Sequence, residues 1–226
     1  MGMLYVIGLL FALIGMFVQS RLKKKFDQYS KVDLLNRMSG REVAERMMHD
    51  HGIYDVKVIS VAGKLTDHYN PSARTVNLSN DVYHGRNAAA AAVAAHECGH
   101  AVQHQTRYAM LGLRSQIVPL VNIAGSVMPW LLMLGVFFLS RIPGLLLLAI
   151  IAQAVITLFT LITLPVEFDA SRRGLAWMQS KGVVVQHEYD AAKDALKWAA
   201  LTYVVSALAA VAQLIYLVAR YSGSRR

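Results

Sequence analysis

Two histidines four residues apart carry the clearest chemical signal in the chain. His96 and His100 enclose Glu97 in a His-Glu-x-x-His pattern. Residues four apart on an α-helix lie one turn above each other, so both imidazoles can bind one metal ion. Glu97 can then take a proton from a metal-bound water, whose pKa zinc lowers to ~7. The pattern predicts a site for one Zn²⁺ ion that hydrolyses peptide bonds.

A catalytic zinc needs a third protein ligand, and acidic residues are scarce here. Glu167 and Asp169 are the only carboxylates between positions 98 and 187, and both directly follow a long apolar segment. A carboxylate at such a place is costly unless it is paired or binds a metal. Both acids are therefore candidates for the third ligand. The alternative is that they neutralise the neighbouring Arg172 and Arg173.

The local pattern Glu-x-x-Ala-Ser that begins at Glu167 resembles the Glu-x-x-Ala-Asp helix of the gluzincin zinc proteases. This resemblance implies that Glu167 is the third zinc ligand. Asp169 could then hold a ligand histidine in the correct tautomer.

Two other side chains near the motif compete for a role. His104 lies one further turn along, about 12 Å from His96 along the helix axis, which is too far for one tetrahedral site. We do not expect it to bind the metal, and any role of His104 at the site would be to face the substrate or support a ligand. A metzincin would need a histidine at position 106, which is Thr106. Cys98, the only cysteine, is expected to be a small buried packing residue.

The segment that must position the motif has the signals of a small α+β unit. Ser39 and Glu42 have capping-box spacing, which predicts a helix that starts directly after Ser39, with Gly52 as its C-terminal cap. Asn87 can cap a second helix, over 88–105, that carries the motif. Strand-like runs lie between these helices, at 56–61, 65–69 and 75–78.

The remainder of the chain is dominated by apolar segments. Hydrophobic residues make up 55% and charged residues 16% of the 226 residues, whereas soluble domains are about 25% charged. Four segments of roughly the 20 residues that a transmembrane helix needs lie at 1–18, 117–139, 142–165 and 199–219. Only Ser140 and Arg141 separate the second and third, which predicts a tight membrane hairpin.

The distribution of basic residues predicts the orientation. Of the 23 lysines and arginines, 14 lie in 21–116 and 5 in 166–198, so the positive-inside rule places both segments in the cytoplasm. Both termini are then outside, and the first segment is an uncleaved anchor because its basic residues follow it. The predicted division is an anchor (1–20), a cytoplasmic α+β catalytic unit (21–116), a transmembrane hairpin (117–165), a cytoplasmic helix or loop with the third ligand (166–198), and a transmembrane helix with a basic tail (199–226).

Taken together, six stretches resemble the YugP-like neutral zinc metallopeptidases of bacterial membranes. They lie at 63–71, 77–79, 94–104, 113–115, 165–173 and 199–203. The resemblance covers nearly the whole chain and implies an α+β integral membrane gluzincin of the inner membrane, distantly related to the HtpX-type proteases. Cys98 stands where the family commonly has valine, which leaves the catalytic positions unchanged.

A gluzincin mechanism implies two further features. The sheet edge beside the active helix binds an extended peptide, and the candidate edges are 65–69 and 75–78. The developing oxyanion also needs a hydrogen-bond donor. The candidates are His68, Tyr69, Arg172, Arg173, His187 and Tyr203.

Three other function classes are less consistent with the sequence. A scaffold or adaptor that acts by binding would not need the Glu97 base. A transporter usually has ionisable residues within its spans, and the first and third segments have none. A nucleic-acid binder would show basic patches interleaved with aromatics. We therefore expect peptides or membrane proteins as substrates, the lipid bilayer as a partner, and no nucleic acid.

Overall fold

The computed structural model describes residues 2–138 and 143–223, so the predicted hairpin tip, Ser140 and Arg141, lies outside the described residues. The described elements in chain order are α1 (Gly2–Tyr29), α2 (Gly40–Asp50), β1 (Lys57–Val61), β2 (His68–Asn70), β3 (Thr75–Ser79), α3 (Asn80–His84), α4 (Ala88–Gln105), α5 (Ala109–Phe138), α6 (Pro143–Ser180) and α7 (Gln186–Gly223).

The chain divides into two compact units. The first comprises the described parts of Met1–Val18, Gly112–Pro165 and Leu201–Arg226, and the second comprises Gln19–Leu111 and Val166–Ala200. Among the described residues, α1, α5, α6 and α7 are long and apolar enough to cross a membrane. Only 6–28% of the residues in their most apolar windows are buried within the chain itself, which fits helices that contact lipid.

Small residues bring the helices of the first unit together. Ala124 of α5 and Ala149 of α6 belong to one buried cluster. Gln153 and Thr157 of α6 both donate hydrogen bonds to the carbonyl of Ala210 in α7, at 3.1 and 3.2 Å. These bonds satisfy the buried polar groups of α6 against the backbone of its neighbour.

Two helices are longer than the apolar segments inside them. The backbone of α6 stays helical through Pro165 and ends at Ser180, and α7 begins at Gln186. The segment 166–198 is thus almost entirely helical, with only residues 181–185 between the helices. Hydropathy marks where the apolar side chains end, whereas the helical backbone continues beyond that point.

The second unit contains three strands in the order β1-β3-β2, and β2 spans His68–Asn70 rather than the predicted 65–69. β1 is parallel to β3, and β2 is antiparallel to β3, with Tyr69 opposite Val76. The expectation that 75–78 could be a free edge is therefore wrong, because this stretch is in the central strand. β2 is an edge strand and contacts α4.

Local signals correctly predicted α2 and α4 of the second unit, whereas the short helix α3 was not predicted. Ser39 and Glu42 form the capping box of α2, and Asn87 caps α4 by accepting from the Ala90 backbone N–H at 2.9 Å. Gly52 adopts a φ of +69° directly after α2, as a C-terminal cap requires. The apolar side of α2 packs against the buried alanines of α4 and holds the motif helix in the core.

Candidate metal centre

Three side chains predicted as metal ligands converge within the second unit. His96 and His100 lie one turn apart on α4, and Glu167 reaches them from α6. Oε2 of Glu167 lies 3.4 Å from Nε2 of His96 and 3.6 Å from Nε2 of His100. One ligand atom from each residue lies within 4.8 Å of the others. Helix α6 thus supplies the third candidate ligand to the two histidines of α4.

The donor set fits a zinc ion. Zinc binds imidazole nitrogens at about 2.0–2.1 Å and carboxylate oxygens at about 2.0–2.2 Å, so neighbouring ligand atoms of a tetrahedral site lie about 3.4 Å apart. The observed separations of 3.4 and 3.6 Å match this value. Two histidines and one glutamate leave a fourth position for water, as in catalytic zinc sites. The side chains are 14%, 10% and 4% exposed in chain order, which limits competition from solvent.

Two glycines allow α4 and α6 to approach closely enough for this convergence. A Cβ atom at Gly99 would lie only 2.4 Å from the carbonyl oxygen of Ala170. A Cβ atom at Gly174 would lie 2.8 Å from the backbone of Ala95. Gly99 therefore occupies a variable position of the His-Glu-x-x-His motif and permits the close contact between α4 and α6.

Gly99→Ala is expected to destabilise the protein and weaken zinc binding, because the methyl group would push α6 and its carboxylate away from the histidines. Overpacking of this kind costs about 1–3 kcal/mol. Gly112→Ala is a matched control, since this helical glycine has no atom within 4 Å of an added Cβ. It should be neutral or stabilise by about 0.5–1 kcal/mol. Thermal unfolding and zinc affinity measured in detergent check both variants, and a Gly99→Ala protein as stable as Gly112→Ala would contradict the packing.

The carboxylate of Glu97 is held by the edge strand. It is 8% exposed, and its Oε2 accepts a hydrogen bond from the backbone N–H of Tyr69 in β2 at 3.0 Å. Asp67, which precedes β2, accepts from the N–H and hydroxyl of Ser79. Burial raises the pKa of Asp67, and the charge of Glu97 nearby raises it further. The position of Glu97 is thus tied to the strand beside the motif helix.

Each histidine of the cluster has a partner for its second ring nitrogen. Nδ1 of His96 lies 2.9 Å from the hydroxyl of Ser171, and Nδ1 of His100 lies 3.0 Å from Oε1 of Gln103. Sequence reasoning missed both partners. The sequence spacing could have revealed them. Gln103 is three residues after His100 and Ser171 is four after Glu167, so each lies on the helix face that carries a metal ligand.

Asp169 does not contact a histidine directly. Its carboxylate accepts hydrogen bonds from Gln103 at 3.0 Å and from Arg173 at 2.5 Å, and it also pairs with Arg172. The expectation that Asp169 holds a ligand histidine is therefore wrong in its direct form, since Gln103 lies between the two. Asp169 is instead paired with Arg172 and Arg173, which was the alternative interpretation for both acids. Glu167 faces the two histidines.

The structure also places the residues that the sequence analysis considered for roles other than metal binding. The hydroxyl of Tyr69 lies 2.8 Å from Nδ1 of the exposed His104, so these two form a pair beside the motif. Nδ1 of His68 lies 2.8 Å from the carbonyl of Thr66. Tyr203 belongs to the first unit. Cys98 is fully buried and packs as expected, and its burial raises the pKa of the thiol.

As the pH is lowered, the zinc affinity is expected to start falling at a higher pH than it would in a site whose histidines have the ordinary pKa. Burial lowers the pKa of His100, but the hydrogen bond to Glu167 and the nearby carboxylates outweigh it, so this pKa is raised. A proton must leave His100 before zinc binds, so protons compete already above the usual histidine value of about 6.5. Chelator competition from about pH 8 down to about pH 6 measures the effect. A zinc affinity that stays constant over this range would contradict it.

Comparisons with known proteins agree with these features. The chain matches the family described as "Putative neutral zinc metallopeptidase" over residues 4–222. It is 42% identical over 212 residues to "Putative membrane protease YugP" of Bacillus subtilis (strain 168), and the match covers 94% of this chain and 93% of that protein. No solved structure matches the chain. The matched region covers parts of both units and includes His96, His100 and Glu167.

Proposed function

Because the chain belongs to the family of neutral zinc metallopeptidases, as the sequence resemblance predicted, we propose that it is a gluzincin-type zinc endopeptidase embedded in a membrane. The observation that carries the proposal is the convergence of His96, His100 and Glu167 at the spacing of a zinc site. Glu97 lies on the same helix, where a general base is needed. Its substrates are membrane proteins or membrane-proximal segments.

In the proposed mechanism, His96, His100 and Glu167 would hold one Zn²⁺ ion, which when bound would polarise the scissile carbonyl and acidify a water molecule. Glu97 would act as the general base, accepting a proton from the attacking water and passing it to the leaving amine. The Tyr69 N–H holds Glu97 at the edge of β2, so a peptide that pairs with this edge would lie beside the base. The candidate oxyanion donors at that edge are His68 and the Tyr69 hydroxyl, which lie on β2, and His104, which contacts the Tyr69 hydroxyl.

We place the metal centre close to the cytoplasmic surface of the inner membrane. Glu167 follows the apolar segment of α6 by two residues within one continuous helix, a rise of about 3 Å at 1.5 Å per residue. The basic residues of 21–116 and 166–198 support a cytoplasmic location by the positive-inside rule. A site at this depth favours peptide bonds near the bilayer over those of freely diffusing proteins.

The substrate class can be tested with one cleavable sequence presented in three ways. The reconstituted protein is given the sequence directly next to a transmembrane helix, behind a long flexible linker, and in a soluble unfolded protein such as casein. We expect the fastest cleavage for the directly anchored form. Equal rates for all three would remove the argument for a membrane-proximal substrate while leaving the peptidase activity intact.

The second candidate function is a scaffold or adaptor that keeps the zinc fold and acts by binding. The environment of Glu97 argues against it, because a binder has no need for a buried carboxylate on the motif helix that the Tyr69 N–H holds in place. An adaptor would work equally well with a glutamine at position 97, whereas a peptidase would not.

A further inference from the structure

Gln103 is a fully buried polar residue on the motif helix that the proposed mechanism does not use. It is 0% exposed, and three different groups surround its amide. Its Nε2 lies 2.8 Å from the carbonyl oxygen of Val166 and 3.0 Å from Oδ2 of Asp169, and its Oε1 lies 3.0 Å from Nδ1 of His100. A buried amide with all of its main partners in place is held in one orientation.

The partners determine which way the amide faces. The carbonyl of Val166 and the carboxylate of Asp169 can only accept hydrogen bonds, so both must face the NH₂ group of Gln103. The Val166 carbonyl alone requires the NH₂ group of Gln103 on this side, and Arg172 and Arg173 also pair with the Asp169 carboxylate. The amide oxygen must then face His100.

The orientation of the amide in turn sets the tautomer of His100. An amide oxygen accepts and cannot donate, so Nδ1 of His100 must carry a hydrogen. In the neutral ring the lone pair then lies on Nε2, the atom that faces Glu167 at 3.6 Å. His96 has no such constraint from its partner, because the hydroxyl of Ser171 can either donate or accept.

We propose that Gln103 is a positioning residue that fixes His100 as the tautomer with its metal-binding lone pair on Nε2. Asp169 acts on the metal centre through Gln103, and the two arginines anchor the far end of this chain of hydrogen bonds. The proposal rests on the proposed function in one respect only, namely that the cluster binds zinc. It adds a residue outside the His-Glu-x-x-His motif that controls metal affinity.

Gln103→Met tests the proposal, because methionine has nearly the same length and cannot form these hydrogen bonds. Asp169 keeps both arginines in the variant, so no charge is left unpaired. Partners of metal-binding histidines typically contribute 10–100-fold to metal affinity, so the zinc Kd should rise at least tenfold in chelator competition. Cys98→Val is the matched control, since Cys98 is equally buried on the same helix and bonds to α2, and its zinc Kd should not change.

Two further measurements keep the proposal falsifiable. A Gln103→Met protein that melts at a lower temperature without metal but binds zinc with a Kd less than tenfold above the wild-type value would show a purely structural role and overturn it. NMR of the ¹⁵N-histidine-labelled, zinc-loaded wild-type protein needs no variant of Gln103. It should show His100 bound through Nε2 and protonated at Nδ1, and binding through Nδ1 would overturn the proposal. A wild-type protein that binds no zinc would instead refute the proposed function.

Discussion

Glu97→Gln should keep one zinc ion per chain and lose peptidase activity by about 10²–10⁴-fold, the usual contribution of a general base. The amide can still accept the hydrogen bond from the Tyr69 N–H, so the fold around position 97 should not change. Glutamine cannot take a proton from the water, which removes the chemical step. The metal ligands remain His96, His100 and Glu167, so zinc binding is unaffected.

Metal analysis and peptide cleavage on the same purified sample check this prediction. Glu45→Gln is the matched control, because it makes the same carboxylate-to-amide change on an exposed side chain of α2. It should keep both zinc and activity. Equal cleavage by Glu97→Gln and wild type would contradict the role of Glu97 as the base, no cleavage by either protein would favour an adaptor, and loss of zinc would show that Glu97 has a structural role.

Glu167→Ala should lose the bound zinc ion altogether. The change leaves only the two histidines, whereas a catalytic zinc site has three protein ligands. Asp169, the next carboxylate on α6, is already paired with Arg172 and Arg173. Activity should fall to background as a consequence. Phe168→Ala is the control, since the neighbouring Phe168 is 49% exposed and should be dispensable for zinc. The zinc content of both purified variants, measured after dialysis against a weak chelator, decides the outcome.

Zinc retained by Glu167→Ala would contradict the ligand set and move the third position to Asp169 or His104. The structure gives each of these residues other partners. Asp169 is engaged by Gln103 and two arginines, and His104 is paired with the Tyr69 hydroxyl. We therefore expect His104→Ala to keep its zinc, and this variant tests that alternative independently.

Local sequence signals predicted much of the second unit because their physics is local. The capping box at Ser39 and the cap at Asn87 depend on residues three positions apart, and both are present in the structure. The convergence of His96 and His100 follows from the helical repeat alone, because the two residues are four positions apart on one helix. Choosing Glu167 required the scarcity of acids and the gluzincin resemblance, because this residue lies on a different helix.

The features that sequence reasoning missed depend on which elements become neighbours. The order β1-β3-β2, which places 75–78 in the centre, follows from a parallel pairing that no local pattern encodes. Gly99 is important only because Ala170 lies against it. Asp169 and His100 are linked by Gln103, whose role depends on the contact between α4 and α6.

The most direct test of a zinc peptidase is the dependence of cleavage on stoichiometric metal. The purified wild-type protein is stripped with a chelator, reconstituted in lipid, and titrated with Zn²⁺ against a membrane-anchored peptide. We predict no cleavage without metal and full recovery at one zinc ion per chain, the number that the cluster of His96, His100 and Glu167 can hold. Cleavage by the metal-free protein at the same rate, or no cleavage after one equivalent has bound, would contradict the account.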